Sequence, residues 1–423
     1  MKKALIITYY WPPAGGSGVQ RWLKFVKYFR DFGIEPIIYT VKDPNYPFED
    51  ESLIKDIPEN IEVIKQSIWE PNNLFSFKTK KKSAGFLNSD PSFFDRILQY
   101  IRANYFIPDA RKYWVKPSVK YLKRLLDERV IDVIITTGPP HSLHLIGNEL
   151  KKKTNIKWIA DFRDPWIDID YFHHLPLSKD SLLKHQELEK QVVTNADSVL
   201  VVGNTMKSNF EKYSNKIEVV TNGYDTELAE TESLLETKFS LTHIGLMNLD
   251  RNHSIFWQAI TELINENNEF KNDLLLRFIG SVDDSVKDEV HKNELSEVSE
   301  FIDYLPHNEV IEYQKKSQAL LLFVNNVPSA AGIITGKIFE YLIAKRPIIA
   351  IAPEKGDLSH IINDTNSGKV IDFSNKSDLK NTILELYKKY KVGENSVSSK
   401  NIEKYHRREL TKKVSEIIST ITK

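Results

Sequence analysis

Five strings in this chain bring together glycines, small residues, histidines or charged residues, and each follows an apolar run. The first is TYYWPPAGGSGVQRW, residues 8–22. Gly15, Gly16 and Gly18 make a loop whose backbone amides can approach a ligand closely, and a helix starting near Val19 adds unpaired N–H groups. A plain strand-to-helix turn needs one glycine rather than three. The spacing is GGxG, so the string is neither a dinucleotide GxGxxG nor a P-loop, which would end in GKS or GKT. The second string is TTGPPHSLHLIG, 136–147, where a strand ends in Gly138-Pro139-Pro140 and His141 opens a helix. His141 is expected at a cleft edge, and a helix N-terminus favours the neutral imidazole.

The third string, WIADFRDPW (158–166), clusters Asp161, Arg163 and Asp164 at another strand end. An arginine–carboxylate pair bracing the loop is the expected role of at least two of the three. The fourth is GLMNLDRN (245–252), where Arg251 either faces an anion or is a solvated loop residue. The fifth is NNVPSAAGIITGKIFEYLIAKRPIIA, 325–350. Ser329 to Gly332 are small, and Gly332, Ile333, Ile334, Thr335 and Gly336 lead into a helix starting near Thr335 or Gly336. Such a helix start is an anion site. Lys337 lies in the first turn, where a cation opposes the helix dipole, a placement that makes sense if an anion is shared there. Glu340, three residues on, can accept hydrogen bonds from ribose hydroxyls. Lysine and glutamate on the wet face of an amphipathic helix is the other reading.

The elements that must position these strings alternate between β-rich runs and helical patterns. Strands are expected at 4–8, 35–40, 61–65, 132–137, 157–161, 198–202 and 217–221, with a second series at 241–247, 274–280, 319–324, 346–352 and 369–373. This is the pattern of α/β parallel sheets covered by helices, and ligands bind beyond the carboxyl ends of such strands. The acidic stretch 225–238 reads as a linker between two doubly wound domains facing a cleft. Residues 66–118 are too long for an ordinary βα connection. They read as an insertion with its own helices. Its aromatic residues, near Lys78 and Lys80 to Lys82, suit either a lipid headgroup surface or a subdomain core with a solvated lysine loop.

The chain has 423 residues, 41% of them hydrophobic, which favours two domains over one. Lys+Arg and Asp+Glu are each 58, so no global field draws it to nucleic acid. There is no cysteine, which excludes disulfides, thiol catalysis and Cys-based zinc sites. No apolar run approaches the ~20 residues of a membrane span, and the N-terminus does not read as a signal peptide. A soluble cytoplasmic protein is expected.

Together the glycine loop, ADFRDPW, VVTNGYD (219–225), GLMNLDRN and GKIFEYLIAKRPIIA resemble the GT-B glycosyltransferases, specifically the family-4-type retaining enzymes that use nucleotide sugars. The resemblance covers nearly the whole chain. It implies an acceptor-side Rossmann-like domain at 1–225, a nucleotide-sugar-binding one at 239–400, and a helix at 401–423 crossing back to the first. It implies that Arg251 and Lys337 neutralise the diphosphate leaving group, Glu340 holds the ribose, and His141 sits near the transferred sugar. Gly16 and its neighbours would touch the diphosphate or the acceptor. The donor is then a nucleoside-diphosphate sugar and the acceptor a glycan or lipid-linked glycan. No cofactor and no metal is implied, and contact with a membrane surface is compatible with it. DID (168–170) matches the metal-holding DxD of another class of sugar transferases in the wrong kind of fold. The family's E-x7-E element keeps only its second glutamate here, Glu340, and the first position is Gly332. A nucleotide-sugar epimerase on the same fold and a catalytically silent binding module are the alternatives. On this reading a bulky residue at Gly16 abolishes transfer and leaves the fold intact.

Overall fold

The structure is a computed structural model that describes residues 1–46, 48–69, 93–169, 172, 175–225 and 234–423. The lysines at 78 and 80–82, the aromatic residues Phe75, Phe77 and Phe86, Asp170 and most of the acidic linker lie outside the described residues. The chain forms two compact units, Met1–Asp225 with His406–Lys423, and Thr226–Tyr405.

The first unit holds seven strands: β1 Lys2–Ile7, β2 Ile34–Lys42, β3 Glu62–Ser67, β4 Val133–Gly138, β5 Lys157–Phe162, β6 Ser198–Val201 and β7 Ile217–Val219. Their order is β3-β2-β1-β4-β5-β6-β7 and every pairing is parallel. Its helices are α1 Ser17–Phe29, α2 Phe93–Tyr105, α3 Lys112–Glu128, α4 Ser142–Thr154, α5 Lys179–Asn195 and α6 Asn204–Glu211. β1 reads as unbroken apolar sequence because both faces are covered. Ala4 and Ile6 join a core with Trp22, Phe25 and Leu23 of α1, while Leu5 and Ile7 join the opposite core with Trp114, Leu122 and Trp158.

The second unit holds β8 Phe239–Ile244, β9 Leu274–Ile279, β10 Ser299–Ile302, β11 Ala319–Phe323, β12 Ile348–Ile351 and β13 Gly368–Ile371, in the order β10-β9-β8-β11-β12-β13 and again all parallel. Its helices are α7 Ser254–Glu266, α8 Asn268–Asp273, α9 Asp284–Lys292, α10 His307–Lys316, α11 Lys337–Ala344, α12 Asp357–Thr365 and α13 Lys376–Lys391. The last helix, α14 Arg407–Ile421, returns to the first unit. Its Leu410, Val414 and Ile418 recur one turn apart and are buried in the α1-side core. Each such aliphatic side chain contributes about 1.5–3 kcal/mol. The backbone of Tyr224 meets the returning chain, accepting from the Arg407 amide at 2.8 Å.

Two sequence expectations need correction. The 66–118 segment is not wholly an insertion, because α3 begins inside it. Trp114 is fully buried and stacks on Tyr39, and α3 is the crossover helix between β3 and β4. Its lysines and the internal Pro117 disguise a core helix. Conversely, β10 was not anticipated: SEFI, at the sheet edge, carries too little apolar sequence to stand out.

In each sheet the strand order reverses next to the first strand, between β1 and β4 and between β8 and β11. The crevice at such a switch point is where open α/β sheets take ligands. Five of the five strings quoted above leave strands at or beside these two points.

The cores also enclose histidines. His141, His144, His185, His243 and His253 are all buried, and burial holds each imidazole below its ordinary value, at about 3 for His144 and about 4 for His185 and His253. They fold neutral, whereas in the unfolded chain they take up protons as pH falls through about 6.5. The unfolded state therefore binds more protons below that pH, and stability falls as pH falls. Glu189, pushed up to about 7 by burial, opposes this with a single proton. The urea midpoint should decline steeply as pH drops below about 6.5, and a flat profile there would contradict the buried, neutral assignment.

Candidate functional site

In the first unit the loops after β1, β4 and β5 are laced together from below. Asp161, at the end of β5, is fully buried. It accepts from Arg21 (2.8 Å), Trp22 Nε1 (2.7 Å) and Thr137 Oγ1 (2.9 Å). Arg21 also donates to the carbonyls of Val220 and Thr221, each at 2.8 Å. One carboxylate thus fixes the start of α1 against β4, β5 and the 220–222 segment. The expected arginine–carboxylate pair exists, but its arginine is Arg21 and not Arg163. Arg163 instead donates to three backbone carbonyls, those of Gly18, Gly138 and Pro139, and so ties the glycine loop to the GPP loop. Burial disfavours the Arg163 charge and holds the guanidinium below its ordinary value, and the exposed Asp164 partly offsets this.

The three glycines do different work. A Cβ on Gly15 would collide with the Phe48 ring, and one on Gly18 would come within 3.0 Å of Arg163. Gly16 alone has open space around its Cβ position, and its backbone, φ 83° and ψ −179°, belongs to a region that only glycine adopts readily. A valine at Gly16 therefore strains the loop itself, so the expectation of an undisturbed fold does not hold. His141 occupies the N-cap position of α4 and is enclosed rather than at an open edge. Its ring stacks on Trp166 with centroids 4.9 Å apart, and its Nδ1 has no hydrogen-bond partner among the described residues.

In the second unit Arg251, Lys337 and Glu340 are gathered at the β8/β11 switch point. Arg251 ends a short 3-10 turn after β8 and donates to the Leu246 carbonyl (2.8 Å) and to Asn325 Oδ1 (2.7 Å), which follows β11. Lys337 opens α11. Its ammonium lies over Gly245, whose φ of 107° and missing Cβ leave the room; a side chain there would overlap the lysine. Burial, with Arg251 nearby, pushes Lys337 down to about 7. No hydrogen bond or ion pair reaches its Nζ from the described residues; the favourable influence of Glu340 is the smallest of the three. Glu340 is half-buried, and one of its oxygens accepts from Gln314 of α10 at 3.0 Å. Tyr341 anchors α11, its hydroxyl accepting from the Ile244 amide at 3.2 Å beside the Leu321 carbonyl.

The small-residue approach is a 3-10 turn, Ala330–Gly332, that uses the amides of Gly332 and Ile333 internally. Ile334 follows, half-buried, and then Thr335, whose Oγ1 is buried without a hydrogen-bond partner. Gly336 is exposed, with nothing within 4 Å of its Cβ position. Gly332 itself has no left-handed φ, so its backbone does not require glycine. Sequence reasoning missed Arg21, Gln314 and Gly245. Nothing in the local sequence marks Arg21 or Gln314, and the packing of the positive-φ Gly280 on Gly245 is visible only in the fold. No cluster of three or more metal-ligating side chains occurs among the described residues, and none of their helices is long and apolar enough to cross a membrane.

Two parallel Rossmann-like units, each with its charged loops at the switch point, define the GT-B α/β fold. Solved structures agree. The chain is similar to S. aureus TarM, determined with fondaparinux, alpha-GlcNAc-glycerol and UDP (13% identity, TM-score 0.59, covering 99% of this chain and 100% of that one). It is also similar to WaaG, a glycosyltransferase involved in lipopolysaccharide biosynthesis (12%, 0.57, 99% and 99%), and to a putative UDP-N-acetylglucosamine 2-epimerase from Listeria monocytogenes (11%, 0.56, 99% and 96%). Comparison with curated proteins gives no match. Residues 16–228 match Glycosyltransferase Family 4 and residues 225–407 match Glycosyl transferases group 1. The chain belongs to glycosyltransferase family 4, and it is a glycosyltransferase.

The buried Asp161 hub makes a direct prediction. Asp161→Ala leaves Arg21 buried without its carboxylate and should cost about 3–5 kcal/mol in chemical denaturation; a loss below about 1 kcal/mol would show that the pair is dispensable.

Proposed function

We propose that the protein transfers a sugar from a nucleoside-diphosphate sugar to a glycan or lipid-linked acceptor, on the cytoplasmic side, in the assembly of a surface polysaccharide or glycoconjugate. The observation that carries this reading is Lys337: an ammonium at a helix start, beside Arg251, held down to about 7 with no ion-pair partner among the described residues. Burial, the neighbouring cation and the helix dipole all disfavour its charge, and a diphosphate bound there reverses two of these effects at once.

Glycosyl transfer breaks the bond between the sugar and the diphosphate, and negative charge grows on the leaving phosphate. Arg251, Lys337 and the amides at the start of α11 are donors aimed at that developing charge. Glu340, steadied by Gln314, has its other oxygen available to accept from ribose hydroxyls. No side chain is assigned as a general base. In the retaining, metal-independent course that the family resemblance implies, the leaving phosphate itself helps to deprotonate the acceptor. In this scheme His141 and the Gly16 loop serve the sugar and acceptor side, with Arg163 holding the carbonyls of Gly18 and Pro139 in place.

The test is thermal stability with a panel of nucleoside diphosphates and their sugars, with and without chelator. A donor nucleotide at 100 times its dissociation constant should add ~2.7 kcal/mol to the folded state. That gain should ignore chelator and vanish in Lys337→Ala. If no nucleotide shifts the melt of the folded protein, the proposal fails and a silent module, with Gly332 in place of the motif glutamate, takes precedence.

A further inference from the structure

Helix α2 is built unlike the other helices of the first unit. Every side chain from Phe94 to Arg102 is exposed, although the sequence is amphipathic. Ile97, Leu98, Ile101 and Tyr105 fall on one stripe and are 39–67% exposed. Ala103, on the opposite side of the helix, is buried. Asn104 donates to the Pro176 carbonyl at 2.8 Å and accepts from the Ser178 amide at 2.7 Å. The helix is thus held at its C-terminal turn, through Ala103 and Asn104, and the turns before it stand exposed with their apolar stripe. A helix that packs on a core buries such a stripe.

The surroundings are cationic and aromatic. Arg102 borders the stripe. Lys112 donates to the Tyr105 carbonyl at the C-terminal end of the helix, and it lies 5.5 Å from the Phe106 ring and 5.3 Å from the Tyr113 ring. Lys184 is close enough to Lys112 to disfavour its charge. Trp69 meets Tyr113 edge to face at 4.8 Å and is 57% exposed. Leu183, next to Lys184, is 53% exposed. The helix itself carries one carboxylate, Asp95, against two arginines. A second copy of the chain docked on this face would bring Arg102, Lys112 and Lys184 against their own images. An anionic surface is the complement they fit. Apolar side chains beside tyrosine, tryptophan and snorkelling cations are the composition of a helix that lies in a lipid interface.

We propose that α2 is a membrane-contact helix, which lays the Ile97–Tyr105 stripe into an anionic bilayer surface with Arg102, Lys112 and Lys184 among the headgroups. The inference does not rest on the nucleotide reading, since none of these residues belongs to the second unit.

The experiment is co-sedimentation of the full chain with vesicles of phosphatidylcholine alone or mixed equally with phosphatidylglycerol. The protein should pellet with the anionic vesicles at low salt and stay in solution with the neutral ones. Ile97→Ser with Ile101→Ser, and separately Arg102→Glu with Lys184→Glu, should each weaken anionic-vesicle binding by about tenfold or more. All four positions are exposed, so circular dichroism and the thermal midpoint should be unchanged. The proposal is overturned if the wild-type chain stays in solution with anionic vesicles, or if either double variant binds as well as wild type. It is also overturned if sedimentation velocity shows a dimer that Ile97→Ser with Ile101→Ser dissociates, because the stripe is then a contact between copies.

Discussion

The second unit is organised around an ammonium that the fold makes costly. Lys337 stands at the start of α11, where the dipole opposes it, beside Arg251, and over a glycine that gives its side chain room but no counter-charge. Most of the surrounding construction keeps it there. Gly245 adopts a positive φ so that the chain after β8 passes beneath the lysine. Tyr341 clamps α11 to the end of β8 and the middle of β11. Arg251 is pinned to Leu246 and Asn325 rather than free to swing away. A protein that gained nothing from this charge would place a neutral residue here. The arrangement becomes favourable when an anion arrives, which is what a diphosphate leaving group provides.

The first unit solves a different problem, that of holding three loops at fixed relative positions. It does so by hydrogen bonding from beneath. Asp161 has all its donors inside the protein, and Arg21 spends its guanidinium on that carboxylate and on the 220–222 backbone. Arg163 spends its own on carbonyls of two loops. A buried pair of this kind gives little net stability over apolar packing but is expensive to break in half. Its contribution is geometric: the loop bearing Gly16 cannot shift without disturbing β4, β5 and the 220–222 segment together.

Much of this was legible in the sequence, for identifiable reasons. Buried parallel strands are unbroken apolar runs, and KALII, DVIITT and ALLLF stand out wherever they occur. β10 did not, because an edge strand such as SEFI needs little apolar sequence. The switch-point strings were readable because glycines and small residues rarely cluster after a strand without cause. What they do individually was not. Gly15 and Gly18 make room for Phe48 and Arg163, and only Gly16 opens onto free space. Asp161 was visible as a candidate, but its partner lies 140 residues away in sequence, beyond any local pattern. The start of α3 reads as part of an insertion because its lysines and proline mask a Trp114 face that only the fold reveals. α2 shows the converse: its stripe has core periodicity, and only the structure places that stripe outside.

The central claim is that Lys337 waits for an anion. Calorimetry of nucleoside diphosphate binding at about pH 8, in two buffers of different ionisation enthalpy, tests it most directly. A lysine held near 7 is mostly neutral at that pH, and a bound diphosphate favours its charged form, so binding must draw a proton from the medium. The account predicts uptake approaching one proton, shrinking as pH falls below 7 and absent in Lys337→Met. Nucleotide binding with no proton uptake at about pH 8, or with the same uptake in Lys337→Met, would contradict it.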